Sequence, residues 1–176
     1  MRRGGVSGWA AIAREIKLLL RDTSITRLTT VLDYYGIPAD TPGMADRPIT
    51  SAWTRVSHVE RAMAVSIEDP RFVPNLTLHE SETWVFAAAE QLATLLNLPD
   101  LGKALRADVA RAGGPEQVND GPASAPSKRL LRYYPAYNKR LDGPLAIGEL
   151  GLPGLRRQCP HLDAWLARLE TLTPPG

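Results

Sequence analysis

Apolar residues recur at Trp9, Ile12, Ala13, Ile16, Leu19 and Leu20, the spacing of one helical face, and Ser7 stands where an N-cap belongs. The next apolar run, Ile25 to Leu32, is rich in β-branched residues and ends at Asp33-Tyr34-Tyr35-Gly36, which reads as a buried strand entering a loop. Pro38, Pro42, Gly43 and Pro48 make 37–49 irregular. Ser51 or Thr50 can cap a second helix whose apolar face is Ala52, Val56, Val59 and Met63 and which ends before Pro70. Phe72 to Leu78 then reads as a second strand, with Pro74 counting against a central position for its first residues.

The order helix, strand, helix, strand predicts a small parallel α/β sheet of two or three strands. In such a sheet both strands deliver their carboxyl ends to one edge. Here those ends carry Asp33 and His79-Glu80.

The second half reads as helical. Trp84 to Leu96 is apolar with helical spacing, and Asp100 can cap a helix from Leu101 to about Arg111 that Gly113-Gly114 closes. Residues 119–122 read as a turn, and Ser124 to Tyr134 as a basic helix with Pro126 in its first turn. Gly143-Pro144 and 151–154 punctuate two short helices. A last helix begins near Pro160 and presents Leu162, Trp165, Leu166 and Leu169. The expected organisation is a single domain over 1–176, with an α/β part in 1–82 and a helical part in 83–172.

Composition narrows the class. Over 176 residues, 44% are hydrophobic and 23% charged, ordinary globular usage that argues against disorder. No run of about 18 apolar residues exists, so no transmembrane helix and no membrane partner is expected. Arg14, Glu15 and Lys17 interrupt the first apolar segment, so it is not a secretory signal. A single cysteine, Cys159, cannot make an internal disulfide, and a cytoplasmic protein is the default. Net charge is only +2, but it is unevenly spread. Residues 68–100 hold Glu68, Asp69, Glu80, Glu82, Glu90 and Asp100 against Arg71 alone. Residues 101–140 hold Lys103, Arg106, Arg111, Lys128, Arg129, Arg132, Lys139 and Arg140 against Asp108, Glu116 and Asp120. That contrast suits either metal plus phosphate or two solvated faces.

The carboxylate edge is the first candidate for chemistry. Asp33 and Glu80 each follow an apolar strand, and Glu82 lies two residues on. Clustered oxygen donors suit Mg²⁺ or Mn²⁺, which polarise phosphate or activate water. The competing reading is that these acids cap loops or helix N-termini. The 79–82 segment is no zinc motif, because a second histidine would be needed at position 83, where Thr83 stands. Cys159 reads as a packed thiol. Ser127, Lys128 and Arg129 open a helix behind a glycine-proline turn, so backbone N–H groups, hydroxyls and cations together suit a phosphate. A capped surface helix, with Asp120 pairing one cation, explains them equally well. Tyr133, Tyr134 and Tyr137 with Arg132, Lys139 and Arg140 extend a basic aromatic surface of the kind that binds single-stranded nucleic acid, although helical tyrosines are more often packed.

Five blocks carry a family resemblance: Asp33 to Pro38, Leu78 to Glu82, Asn119 to Pro122 with Pro126 to Arg129, Leu141 to Pro144, and Cys159 to Trp165. In this order they resemble the domain-of-unknown-function 4276 family, a TOPRIM-like group of bacterial and archaeal proteins. The resemblance runs from about Gly4 to Leu172. It implies a TOPRIM-like α/β fold with Mg²⁺ (or Mn²⁺) held for phosphoryl transfer on nucleic acid, and an ATPase encoded alongside in anti-phage defence. Asp33 matches the first aspartate of the paired motif, whose second position falls at Tyr35. Glu80 and Glu82 match the family's His-Glu-x-Glu block. The resemblance thus makes Asp33, Glu80 and Glu82 the catalytic candidates and Asp33 and Glu80 the metal ligands. Family members usually begin with a strand and a Glu-Gly-x-Thr-Glu motif. This chain starts at the block that follows, so an N-terminally truncated or degenerate member is expected. Two functions stay open: a metal-dependent nuclease of TOPRIM type, and a catalytically inactive interaction subunit of such a system.

Overall fold

The computed structural model describes residues 8–119 and 125–171. Its two compact units are Met1–Thr77 with Trp165–Gly176, and Leu78–Ala164. The first unit gives way to the second at Thr77/Leu78, and the chain returns to the first unit at Trp165.

The first unit is a β–α–β arrangement preceded by helix α1 (Gly8–Leu19). Ser7, the expected cap of α1, lies outside the described residues. Strands β1 (Leu28–Thr29) and β2 (Leu32–Asp33) pair in parallel with β3 (Phe72–Val73) and β4 (Leu76–Thr77), respectively. The partners are Leu28 with Phe72, Thr29 with Val73, Leu32 with Leu76 and Asp33 with Thr77, so one register runs through both pairs. The expected parallel pairing is present, but each long strand is cut in two. Pro74 has no N–H to give a ladder. Opposite it the Thr30 hydroxyl takes over, accepting the Asn75 N–H at 3.2 Å and lying 3.2 Å from the Asn75 carbonyl.

The crossover is α2 (Ala52–Ile67), with the bounds that the apolar spacing predicts. Ser51 caps it by accepting the Thr54 N–H at 3.2 Å. It ends where Glu68 turns left-handed (φ 61°) and its N–H takes the Ala64 carbonyl. Val56, Val59 and Met63 on the inner face of α2 are fully buried, as is Leu76 on β4. Glu60 on α2 accepts the Leu76 N–H at 2.8 Å, which ties the crossover helix to β4. Arg71 fastens the end of α1 to the sheet, donating to the Leu20, Asp22 and Ile25 carbonyls while paired with Asp69 at 2.7 Å.

The second unit is helical: α3 (Thr83–Ala87), α4 (Ala89–Leu96), α5 (Pro99–Ala112), a 3-10 turn at Pro115–Gln117, α6 (Pro126–Tyr133), α7 (Asp142–Gln158) and the start of α8 (Pro160–Glu170). Its core gathers Phe86, Leu92, Leu105, Val118, Leu130 and Ala146. The segment read as one helix from Trp84 to Leu96 breaks at Ala88, whose N–H is shared between the Trp84 and Val85 carbonyls. Asp100 is not the cap of α5. Pro99 opens that helix, because its missing N–H costs nothing at the first position, and Asp100 sits in the first turn, paired with Lys103. Gly113 closes α5 in the left-handed conformation, as the sequence predicts (φ 85°). The two short helices expected around 143–158 follow one another as α7, kinked at Gly151 (φ 74°, ψ 159°). The turn at residues 120–122 and Ser124 lie outside the described residues.

Candidate functional site

Asp33 is the last residue of β2, and the parallel register sets it opposite Thr77 at the carboxyl end of β4. The Thr77 hydroxyl donates to Asp33 Oδ1 at 2.9 Å and lies 3.3 Å from the Leu32 carbonyl. The aspartate is half-buried and precedes a 3-10 turn, Tyr34–Gly36, to which its side chain gives no cap hydrogen bond. A carboxylate, a hydroxyl and a carbonyl thus meet at this strand end, all hard oxygen donors of the kind Mg²⁺ takes.

The other acids of the predicted edge belong to the second unit. Past Thr77 the chain turns sharply at His79, a buried residue with positive φ (67°), whose Nδ1 lies 3.2 Å from the Asn119 amide nitrogen. Glu80 then places Oε2 at 3.1 Å from the Ser127 N–H, in the first turn of α6. This is the helix N-terminus at which the sequence anticipates a phosphate. Here a carboxylate of the same unit takes the amide, a favourable partner for the positive end of the helix dipole. Glu82 is deeply buried, its side chain 2% exposed, and Lys139 brings its ammonium to 2.7 Å of Oε1.

The predicted phosphate residues separate in the same way. Lys128 is exposed, whereas Arg129 is 14% exposed and donates to Asp108 Oδ2 at 3.1 Å. Asp108 is 2% exposed and collects Arg111 at 2.7 Å and the Tyr133 hydroxyl at 3.0 Å as well. Burial, then the neighbouring Asp108 carboxylate, push the Tyr133 hydroxyl above its usual pKa. Arg129 is therefore part of a buried ionic cluster, a role that its place in the basic run does not announce.

A further acid, counted in the sequence only as part of the charge balance, is buried. Glu116, in the 3-10 turn, accepts the His161 and Leu162 N–H groups at 2.9 and 3.1 Å and so clamps the start of α8. Burial raises its pKa, against the pull of those two hydrogen bonds. Cys159 beside it is fully buried, and burial together with the Glu116 charge pushes the thiol up, as suits a packed thiol.

Among the described residues, no three His, Cys, Asp or Glu side chains gather as a metal centre. Mg²⁺ is commonly held by one or two carboxylates with several waters and substrate phosphates, and the oxygen groups at the end of β2 and β4 are the Asp33 carboxylate, the Thr77 hydroxyl and the Leu32 carbonyl. Glu82, already neutralised by an ammonium, does not offer such a ligand. None of the described helices is long and apolar enough to cross a membrane.

Comparison with known proteins finds one family. Residues 3–170 match the family model described as Domain of unknown function (DUF4276), and the chain belongs to that family. Neither the curated proteins nor the solved structures contain a match.

Proposed function

We propose that this member of the DUF4276 family is a TOPRIM-like, metal-dependent phosphoryl-transfer protein of nuclease type. It works in the cytoplasm on nucleic acid, beside an ATPase partner in anti-phage defence. One observation carries the reading: Asp33 stands at the carboxyl end of a parallel β–α–β unit, where ligands of open α/β sheets bind, with the Thr77 hydroxyl on its carboxylate. A Mg²⁺ or Mn²⁺ ion held there would polarise a phosphate and activate water. The Thr77 hydroxyl orients the aspartate, and β4 fixes the threonine through the register it shares with β2. The nucleic-acid substrate, the ATPase and the defence setting rest on the resemblance of the five sequence blocks.

A second reading is a non-catalytic interaction subunit. It draws support from the second unit, where Glu80, Glu82, Asp108 and Glu116 are each held by a donor of that unit. Carboxylates held in this way stabilise a fold without chemistry.

A cleavage assay separates the two. Single- and double-stranded DNA and RNA are incubated with the protein in Mg²⁺ or Mn²⁺, with and without the neighbouring ATPase. The enzyme reading expects metal-dependent cleavage that falls about 100-fold or more in Asp33→Ala. Glu80→Ala and Glu82→Gln are run as parallel arms. No cleavage by the wild type under any of these conditions, with stable co-purification of the ATPase, selects the interaction subunit.

A further inference from the structure

Helix α1 carries a row of cations that the carboxylate argument does not use. Arg14 and Lys17 stand about one turn apart on it, and Arg21 follows about one turn later, just past its last residue. All three are exposed, and they share one side with Ala10, Ala13 and the exposed Leu18. Glu15 is the one acid on that side among the described residues, so the stripe keeps net positive charge. Elsewhere cations are matched: Arg71, Arg129, Lys139 and Arg156 each reach a carboxylate. Arg14, Lys17 and Arg21 reach none among the described residues. The helix dipole favours cations in the last turn, but it does not account for Arg14 at mid-helix.

The row is fixed in place. At the start of α1 the Asp40 carboxylate accepts the Trp9 N–H at 3.0 Å, and at its end the Arg71 guanidinium donates to the Leu20 carbonyl. Ile16 and Leu20 are buried on another face, which leaves the cations turned to solvent. Both ends of α1 are thus fastened within the unit that carries Asp33.

The chemistry of the stripe selects a polymer whose negative charges lie in a line. At a rise of about 1.5 Å per residue the three cations span about 10 Å. That is the axial length of about three phosphates of one strand. An acidic amphipathic helix or a lipid surface would call for several large apolar anchors at helical spacing. Leu18 is the one large apolar side chain on this side.

We propose that the face of α1 carrying Arg14, Lys17 and Arg21 binds the phosphate backbone of a nucleic-acid strand without reading its bases. The inference deepens the nucleic-acid reading above and rests on it for the polymer that reaches this unit. Binding of this kind is driven by release of counterions from the phosphates and weakens steeply with salt.

Fluorescence anisotropy of the full chain with a labelled, mixed-sequence single strand of DNA tests it, in a series of NaCl concentrations without divalent ions. The wild type should bind with a log affinity that falls linearly with log salt. The triple variant Arg14→Gln, Lys17→Gln, Arg21→Gln should flatten that slope by about 2, at about 0.7 for each of three phosphate contacts on a single strand. At about 0.1 M salt this corresponds to a loss of about 10- to 100-fold in affinity. Glutamine keeps the helix propensity, and thermal melts check that each variant is folded. A second triple variant, Lys103→Gln, Arg106→Gln, Arg157→Gln, removes the same charge from exposed positions of the second unit and should keep a slope near that of wild type. Asp33→Ala should not weaken strand binding. Absence of salt-dependent binding by the wild type, equal losses in the two triple variants, or equally tight binding of polyglutamate overturns the proposal. Strand binding that is lost with the stripe, in a protein that cleaves no nucleic acid, leaves the stripe standing and removes the nuclease reading. Cleavage by the wild type, with strand affinity unchanged in the stripe variant, does the reverse.

Discussion

The Thr77 hydroxyl donates to the Asp33 carboxylate at 2.9 Å, across a parallel register that pairs the two residues at the ends of β4 and β2. The sheet thereby holds an acid in one orientation at the edge where chemistry is expected. Thr77 is buried, so its hydroxyl has little choice of partner. Thr77→Val keeps the shape and removes the donor. The expected cost is about 1 kcal/mol in a urea titration, because Asp33 stays half-exposed and water replaces part of the lost bond. In an Asp33→Ala background the same change should cost measurably less, since the two residues share one interaction.

Lys139 and Glu82 form a pair in which one partner is exposed and the other is not. Lys139→Met leaves the buried carboxylate without its ammonium. The expected loss is about 1–3 kcal/mol, below the full cost of breaking a buried pair because the lysine side is open to solvent. Adding Glu82→Gln removes the stranded charge, and the double variant should return to within about 1 kcal/mol of wild type. Chemical denaturation of the four proteins of the cycle reads this directly.

Much of this was legible in the sequence, and what was not has a common cause. Helix α2 follows from Ser51 and the spacing of Ala52, Val56, Val59 and Met63, because capping and amphipathicity act within a few residues. The parallel pairing of the strands follows from the order of elements. The interruption at Thr30 does not, because it depends on a side chain replacing ladder bonds opposite Pro74. The charged residues divide along the same line. Asp108 with Arg111 is an i,i+3 pair that spacing alone suggests. Arg129 with Asp108, Lys139 with Glu82 and Glu116 with α8 join residues far apart in the chain. Local pattern offers Arg129 to a phosphate and the family resemblance offers Glu82 to catalysis; the partners they have, Asp108 and Lys139, are ones that only tertiary packing supplies.

Glu116 makes a pH prediction whose sign can be worked out. Burial holds its folded-state pKa above the usual glutamate value of 4.5, so the native state binds its proton more tightly than the unfolded chain. Stability from this group is therefore complete below that usual value and declines as pH rises through the raised one. Glu116→Gln cannot titrate. The difference in unfolding free energy, wild type minus variant, should fall as pH is raised above 4.5 and level off beyond the raised pKa. A difference that rises over this window would mean that the two backbone N–H groups outweigh burial.

The kink in α7 separates two glycines of one helix. Gly151 has φ 74° and ψ 159°, a region that only glycine occupies at ease, whereas Gly148 lies in the helical stretch with open space where a Cβ would go. Gly151→Ala should cost about 1–3 kcal/mol. Gly148→Ala should be neutral or stabilise by up to about 1 kcal/mol. Thermal melts of the two variants should move in opposite directions, or only the first should fall.

The account turns on Asp33 as the acid that engages a divalent cation. Isothermal titration of the full chain with Mg²⁺ and Mn²⁺, repeated on Asp33→Ala and on Glu90→Ala, tests it most directly. Glu90 is exposed and paired with Arg106, and it serves as a surface carboxylate of the same charge. The account predicts weak, saturable binding in the wild type, its loss in Asp33→Ala and its retention in Glu90→Ala. Equal losses in both variants, or undiminished binding in Asp33→Ala, would contradict it.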